Sequence, residues 1–198
     1  MVILPKFAVD DFWGAFSAHH LAKVGSSLRV LNPTTQPVAL ATLIQILSLL
    51  PDPNQEPYFR KFLRNSSQSR DLPTLIAGAF VRGIAWKRPS GPGHICTLII
   101  HTIHWCDASL GDDGKASVDA EVRKALVRKL GHLIEEPGFQ RIEEMQRVEV
   151  ERLKGLLGAV EHLPGDQYTS STRQHLEGRL DCCVNPDCTE DADLTCSK

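Results

Sequence analysis

The sequence predicts an all-α fold: antiparallel helical hairpins, followed by a small irregular cysteine-rich tail at the C-terminal end. Three observations carry this expectation. Apolar residues recur at three- and four-residue spacing along most of the first 160 residues. Proline and glycine clusters fall between those periodic runs. No stretch alternates apolar and polar residues as a half-buried strand does, and no βαβ rhythm is present.

Phe7, Phe12, Phe16, His20 and Val24 lie at helical spacing and predict a first amphipathic helix, with Asp10 or Asp11 near its start. Asn32-Pro33 and Pro37 break the chain. Val38, Leu40, Leu43, Ile44, Leu47 and Leu50 then form a wide apolar face that stops at Pro51-Asp52-Pro53. Tyr58, Phe59, Phe62 and Leu63 predict a short amphipathic helix, and the polar run Asn65 to Ser69 a loop. A fourth helix is expected over Leu72 to Trp86, with Pro73 in its first turn and Leu75, Ile76, Ala79, Phe80 and Gly83 on one side.

Pro89 to Gly93 reads as a linker, and Ile95 to Cys106, apolar nearly all round, as a buried helix. Gly111 to Gly114 is expected to turn. Ser117 is the expected cap of a strong helix with Val118, Val122, Leu126, Leu130 and Leu133 inward and Asp119 and Glu121 in its first turn. After Pro137-Gly138, Phe139 to His162 reads as the longest helix. Arg147 is expected to pair with Glu143 and Glu151 on its wet face; Ile142, Met145, Glu149, Leu153, Leu156 and Val160 line the other. Ser170 to Leu180 is a last short helical candidate. An irregular bundle and a short armadillo- or HEAT-like stack both fit this alternation, although no sequence repeat holds at 34 to 45 residues.

Composition narrows the class. At 198 residues the chain is long enough to bury a core, and 42% apolar with 23% charged residues is a globular balance. A net charge of −2 supplies no global field for nucleic acid or anionic lipid, so no direct nucleic-acid or membrane partner is expected. Pro5 and Asp10-Asp11 interrupt the apolar N-terminus, which does not read as a secretory signal. Val38 to Leu50 is far short of a bilayer span. The expected setting is reducing and intracellular, cytoplasm or nucleus, where clustered cysteines read as metal ligands.

Within the body, His101 and His104 share a helical face and could together bind a transition metal. No third ligand stands at a recognisable spacing and no glutamate lies between them to act as a base, so the reading preferred is two partly buried histidines bonded to backbone or carboxylates. His19 and His20 diverge by about 100° on a helix and read as structural. Gly111 to Lys115 lacks the spacing of a phosphate loop, and no nucleophile elbow is present. Cys96 and Cys106 read as small buried hydrophobes.

The tail carries the chemistry. Cys183-Val-Asn-Pro-Asp-Cys188 is a Cys-x4-Cys knuckle whose Asn-Pro turn can bring two thiolates onto one ion, and Cys196 follows a polar spacer. Cys-x-Asn-Pro-x-Cys, a polar or acidic spacer and then Leu-x-x-Cys-Ser-Lys resembles the opening half of a MYND-type zinc finger, most similar to the kind found at the C-terminal end of fungal proteins behind a helical region. The resemblance covers about 15 residues. It implies that Cys183 and Cys188 are the first ligand pair and Cys196 the first member of the second pair. It also implies two interleaved zinc ions in a complete finger. The family's next cysteine would follow Lys198, so the finger is expected to be unfinished here: a fragment, a truncated isoform or a degenerate copy.

These readings divide the chain into a helical domain, 1–180, and a partial MYND-type finger, 181–198. The function they imply is a non-enzymatic interaction or scaffold protein with an incomplete zinc site. MYND fingers in general bind proline-containing peptides of partner proteins. The alternative is an enzyme, either a fragment of a MYND-associated methyltransferase or a metal-dependent helical enzyme using His101 and His104. The Asn-His-Ser-Cys and Gly-Glu-Glu motifs of those methyltransferases are not in the sequence.

Overall fold

A computed structural model describes residues 6–83, 91–106 and 117–158, and these are helical, with no strand among them. The expected turn at Gly111 to Gly114, the last short helix and the whole cysteine-rich tail lie outside the described residues. The helices are α1 (Lys6–Val30), α2 (Pro37–Ser48), α3 (Pro57–Arg64), α4 (Ser66–Ser69), α5 (Leu72–Val81), α6 (Pro92–Trp105), α7 (Ala120–Glu135) and α8 (Glu144–Gly158), with a 3₁₀ turn at Phe139–Arg141 before α8.

Proline opens four of the helices. Pro37, Pro57, Pro73 and Pro92 sit at the first or second helical position, where the missing N–H would have no partner and φ is already set. Glu56 caps α3: its carboxylate, almost fully buried, accepts from the Tyr58 amide at 3.0 Å. The polar run after α3 is not an open loop. Asn65 and Ser69 fold it into the single turn α4, where the Ser69 hydroxyl donates to the Leu63 carbonyl at 2.6 Å.

Helix α5 stops five residues before the expected Trp86. Gly83 takes φ of 74°, a conformation that side chains with a Cβ adopt at a cost, and its N–H returns to the Phe80 carbonyl. For α7 the cap is Asp119 rather than Ser117: Oδ1 of Asp119 accepts from Glu121 at 3.0 Å and Val122 at 3.3 Å. The segment expected to be the longest helix is broken, because Phe139–Arg141 is a 3₁₀ turn and Ile142 is extended; its expected end, from Ala159 on, lies outside the described residues.

Helix α6 is the centre. It packs against α2, α3, α5 and α8, while α7 joins α5 and α8 on the far side. Helices α5 and α6 meet α7 and α8 as one helical pair laid on the next, and α2 meets α6 across the short helices α3 and α4. Ile95, Leu98, Ile99, Ile100 and Ile103 of α6 are buried, which accounts for a helix apolar nearly all round. The core is completed by Leu21 and Leu28 of α1, Ile44 and Leu47 of α2, Phe59 of α3, Ile76 of α5, Leu126 of α7 and Val150 of α8.

Two faces differ from those the periodicity predicts. In α8, Met145 is 65% exposed and Gln146 is buried, so the inward face is Gln146, Val150, Leu153, Leu156 and Leu157, of which Leu153 and Leu156 are the ones the periodicity predicts. Gln146 replaces the missing cap of α6: its Oε1 accepts from the His94 amide at 3.2 Å. Arg147 does not join its expected glutamates; its guanidinium donates to Gln140 Oε1 at 2.6 Å across the 3₁₀ turn. In α1 the inward face is Ser17, Leu21, Val24 and Leu28, which leaves Phe12 59% exposed.

Candidate functional site

Two places on the body combine exposure with organised chemistry. The first is a row of rings on α1. Phe12 and Trp13 meet edge to face at 5.0 Å between centroids, Trp13 and Phe16 at 5.8 Å, and Phe12 and Phe16 stack at 6.3 Å. His20 continues the row one turn on, 5.3 Å from Phe16. Positions 12, 16 and 20 are each four apart and so line one edge of the helix. Edge-to-face and offset contacts of this kind hold rings in fixed orientations. Trp13 and Phe16 rest partly on the core, whereas Phe12 and Val9 face water.

The second is a cleft of about 200 Å³ between α6 and the α2–α3 connection. Leu47, Leu50 and Leu98 form its apolar floor, and Ser48, Asp52, His94, Thr97 and His101 its polar wall. His94, Thr97 and His101 lie three and seven residues apart, on one face of α6. Asp52 is placed by its own turn: Oδ1 accepts from the Asn54 amide at 2.8 Å, which leaves Oδ2 toward His101 Nε2 at 3.7 Å. That distance is too long for a direct hydrogen bond and leaves an electrostatic contact. Behind the wall, Thr97 Oγ1 lies 3.1 Å from Glu149 Oε2, which in turn is 3.6 Å from Arg152.

Burial pushes the His101 imidazole below its ordinary value. Asp52 and Glu149 oppose that shift and Arg152 adds to it. The group is therefore neutral at physiological pH, able to accept at one nitrogen and donate at the other. His104, its expected companion, is buried and does not line the cleft. Among the described residues no group of three His, Cys, Asp or Glu side chains could hold a metal ion. Cys96 is a buried thiol pushed well above its usual range by burial and, secondarily, by Glu149, so it is chemically quiet.

Cys183, Cys188 and Cys196, the expected zinc ligands, lie outside the described residues. The sequence reading paired His101 with His104 and missed His94 and Thr97, although their i, i+3, i+7 spacing with His101 is a signal that could have found them. Asp52, 49 residues before His101, becomes its neighbour only through the packing of α2 on α6. No helix among the described residues is long and apolar enough to cross a membrane. Compared with protein-family models, with curated proteins and with solved structures, the chain matches none.

Proposed function

We propose that this is a non-enzymatic interaction protein. Its helical body presents the aromatic row of α1 to a protein partner and is followed by a zinc-binding segment that resembles the opening half of a MYND-type finger. The observation that carries the reading is Phe12, a large ring held by two aromatic neighbours yet left 59% exposed. Pre-ordered aromatic side chains contribute much contact area at little cost in side-chain entropy, which is why they dominate recognition surfaces. A proline-containing peptide is the partner best suited to the row, because extended proline segments dock between aromatic rings. The resemblance of the tail supports the same class of partner. The setting proposed is intracellular, cytoplasm or nucleus, without direct contact to nucleic acid.

The test is an array of proline-containing peptides probed with the whole chain and with Phe12→Ser. The expected result is a subset of peptides whose binding weakens about tenfold in the variant, the scale of losing one anchoring ring. Binding indifferent to Phe12, or no binding at all, would overturn the proposal. A second reading, an enzyme, is favoured by one observation only: the neutral His101 beside Asp52 at the mouth of a cleft. It would be supported by turnover in a panel of ester and phosphoester substrates that disappears in His101→Gln.

A further inference from the structure

The cleft between α6 and the α2–α3 connection has a chemistry of its own, independent of the aromatic row. The hydroxyl protons in its wall are already spent. Ser48 donates to the Gln45 carbonyl at 2.8 Å. Thr97 has one hydroxyl proton for the Gly93 carbonyl and Glu149 Oε2, each 3.1 Å away, so its oxygen faces a newcomer as an acceptor. His101, neutral because it is desolvated, keeps one ring nitrogen as an acceptor. Asp52 takes two bonds on Oδ1, from the amide and the side chain of Asn54, both at 2.8 Å. Among the described residues its Oδ2 makes only the 3.7 Å contact to His101. The lining residues include one carboxylate, Asp52, and no Lys or Arg. Arg152 acts on His101 from behind the wall, where Glu149 holds it at 3.6 Å. Beneath these acceptors the floor of Leu47, Leu50 and Leu98 is apolar and buried.

We propose that this cleft binds a small primary alkylammonium, its nitrogen at Asp52 Oδ2 and its hydrocarbon chain on the floor formed by Leu47, Leu50 and Leu98. The acceptor-rich wall selects a donor, and the Asp52 carboxylate selects a cation over an anion or a neutral alcohol. A metal ion is not the match, since no three ligating side chains converge among the described residues. An ammonium fits better than a guanidinium. Its three rotatable N–H groups can serve acceptors on separate elements, Asp52 on the connection and Thr97 and His101 on α6, whereas a guanidinium needs its partners in one plane. Volume bounds the size. A cleft of about 200 Å³ holds about seven non-hydrogen atoms at roughly 30 Å³ each, which limits the ligand to a chain of about six carbons. A free amine and the lysine side chain of another molecule share this chemistry, and the two are told apart by experiment.

The test is a titration of the full-length, ¹⁵N-labelled chain with n-butylamine at neutral pH and constant ionic strength, where an alkylamine is charged. The expected result is a saturable shift of the Thr97, Leu98 and His101 amides with half-saturation at about 1–10 mM, the scale for so small a ligand. Asp52→Asn should weaken binding about tenfold, the effect of losing a charged partner. Asparagine keeps the Oδ1 acceptor that the Asn54 amide uses, so the turn is retained. On the unaltered chain n-butanol, of the same length and without charge, should bind about tenfold more weakly than n-butylamine, and this comparison decides the matter if the variant fails to fold. Nα-acetyl-lysine methylamide binding more tightly than n-butylamine would identify a lysine side chain as the natural ligand; weaker binding would identify a free amine. Three results would overturn the proposal: no saturation by n-butylamine below about 100 mM, n-butanol binding equally well, or undiminished binding to folded Asp52→Asn.

Discussion

Gly93→Ala separates packing from helix propensity, because the two predict opposite signs. A methyl group at Gly93 would stand 2.5 Å from the Gln146 Cα and 2.7 Å from its carbonyl oxygen, where ordinary contact begins at 3.4 Å. The shortfall of 0.9 Å is against backbone, which cannot rotate aside as a side chain can. Helices α6 and α8 must therefore part. Overpacking of this kind costs about 1–3 kcal/mol. The Gln146 bond that caps the His94 amide is strained with it, a further ~1 kcal/mol. Replacing glycine by alanine in a first helical turn returns less than about 1 kcal/mol. The expected net loss is about 2–3 kcal/mol, or roughly 5–10 °C in melting temperature. Gly155→Ala is the control. It lies inside α8 with nothing within 4 Å of the added methyl group, so it should stabilise by about 0.5–1 kcal/mol. Urea midpoints with a shared slope give both values. A neutral or stabilising Gly93→Ala, or a Gly155→Ala equally damaging, would refute the close α6–α8 approach.

Leu126→Asp should cost several kcal/mol, since it places a carboxylate at a fully buried position of α7, whereas Arg147→Ala, which loses one hydrogen bond to Gln140, should cost under about 1 kcal/mol; equal shifts in denaturant midpoint would show the helix faces to be misassigned. His101 gives a pH signature. Its folded value is lowered, chiefly by burial, so its contribution to stability is complete above the unfolded value of about 6.5 and is lost as pH falls from there through the folded value. His101→Gln should flatten that part of the stability–pH curve, and an unchanged curve would mean that the imidazole is not desolvated. For the tail, the chain is expected to bind zinc weakly in competition with a chromophoric chelator. One zinc per monomer at structural-site affinity, abolished by Cys183→Ser, would show a complete site instead.

The helical class was legible because periodicity and punctuation agree: four helices open on the prolines that the sequence displays, and α6 is buried where it reads apolar all round. Boundaries were less so. Gly83 counts as an apolar-face residue by spacing, but its value as a left-handed stop depends on backbone geometry that spacing does not encode. The register of α8 turned on Gln146, a polar residue drawn inward because α6 lacks a cap and approaches closely at Gly93. Phe12 fits the apolar stripe of α1 by period, yet the body contacts the helix on the Ser17–Leu21–Val24–Leu28 face, and only tertiary packing makes that choice.

The claim that α1 is the partner-facing surface is tested most directly by the footprint of a bound peptide. With the chain labelled with ¹⁵N and the tightest proline-containing peptide titrated in, the indole N–H resonances of the tryptophans report on separate places. Trp13 belongs to the aromatic row, while Trp105 is buried at the end of α6. The predicted result is a saturable shift of the Trp13 resonance with that of Trp105 unmoved, and loss of the shift in Phe12→Ser. A peptide that binds without moving Trp13 would contradict the claim.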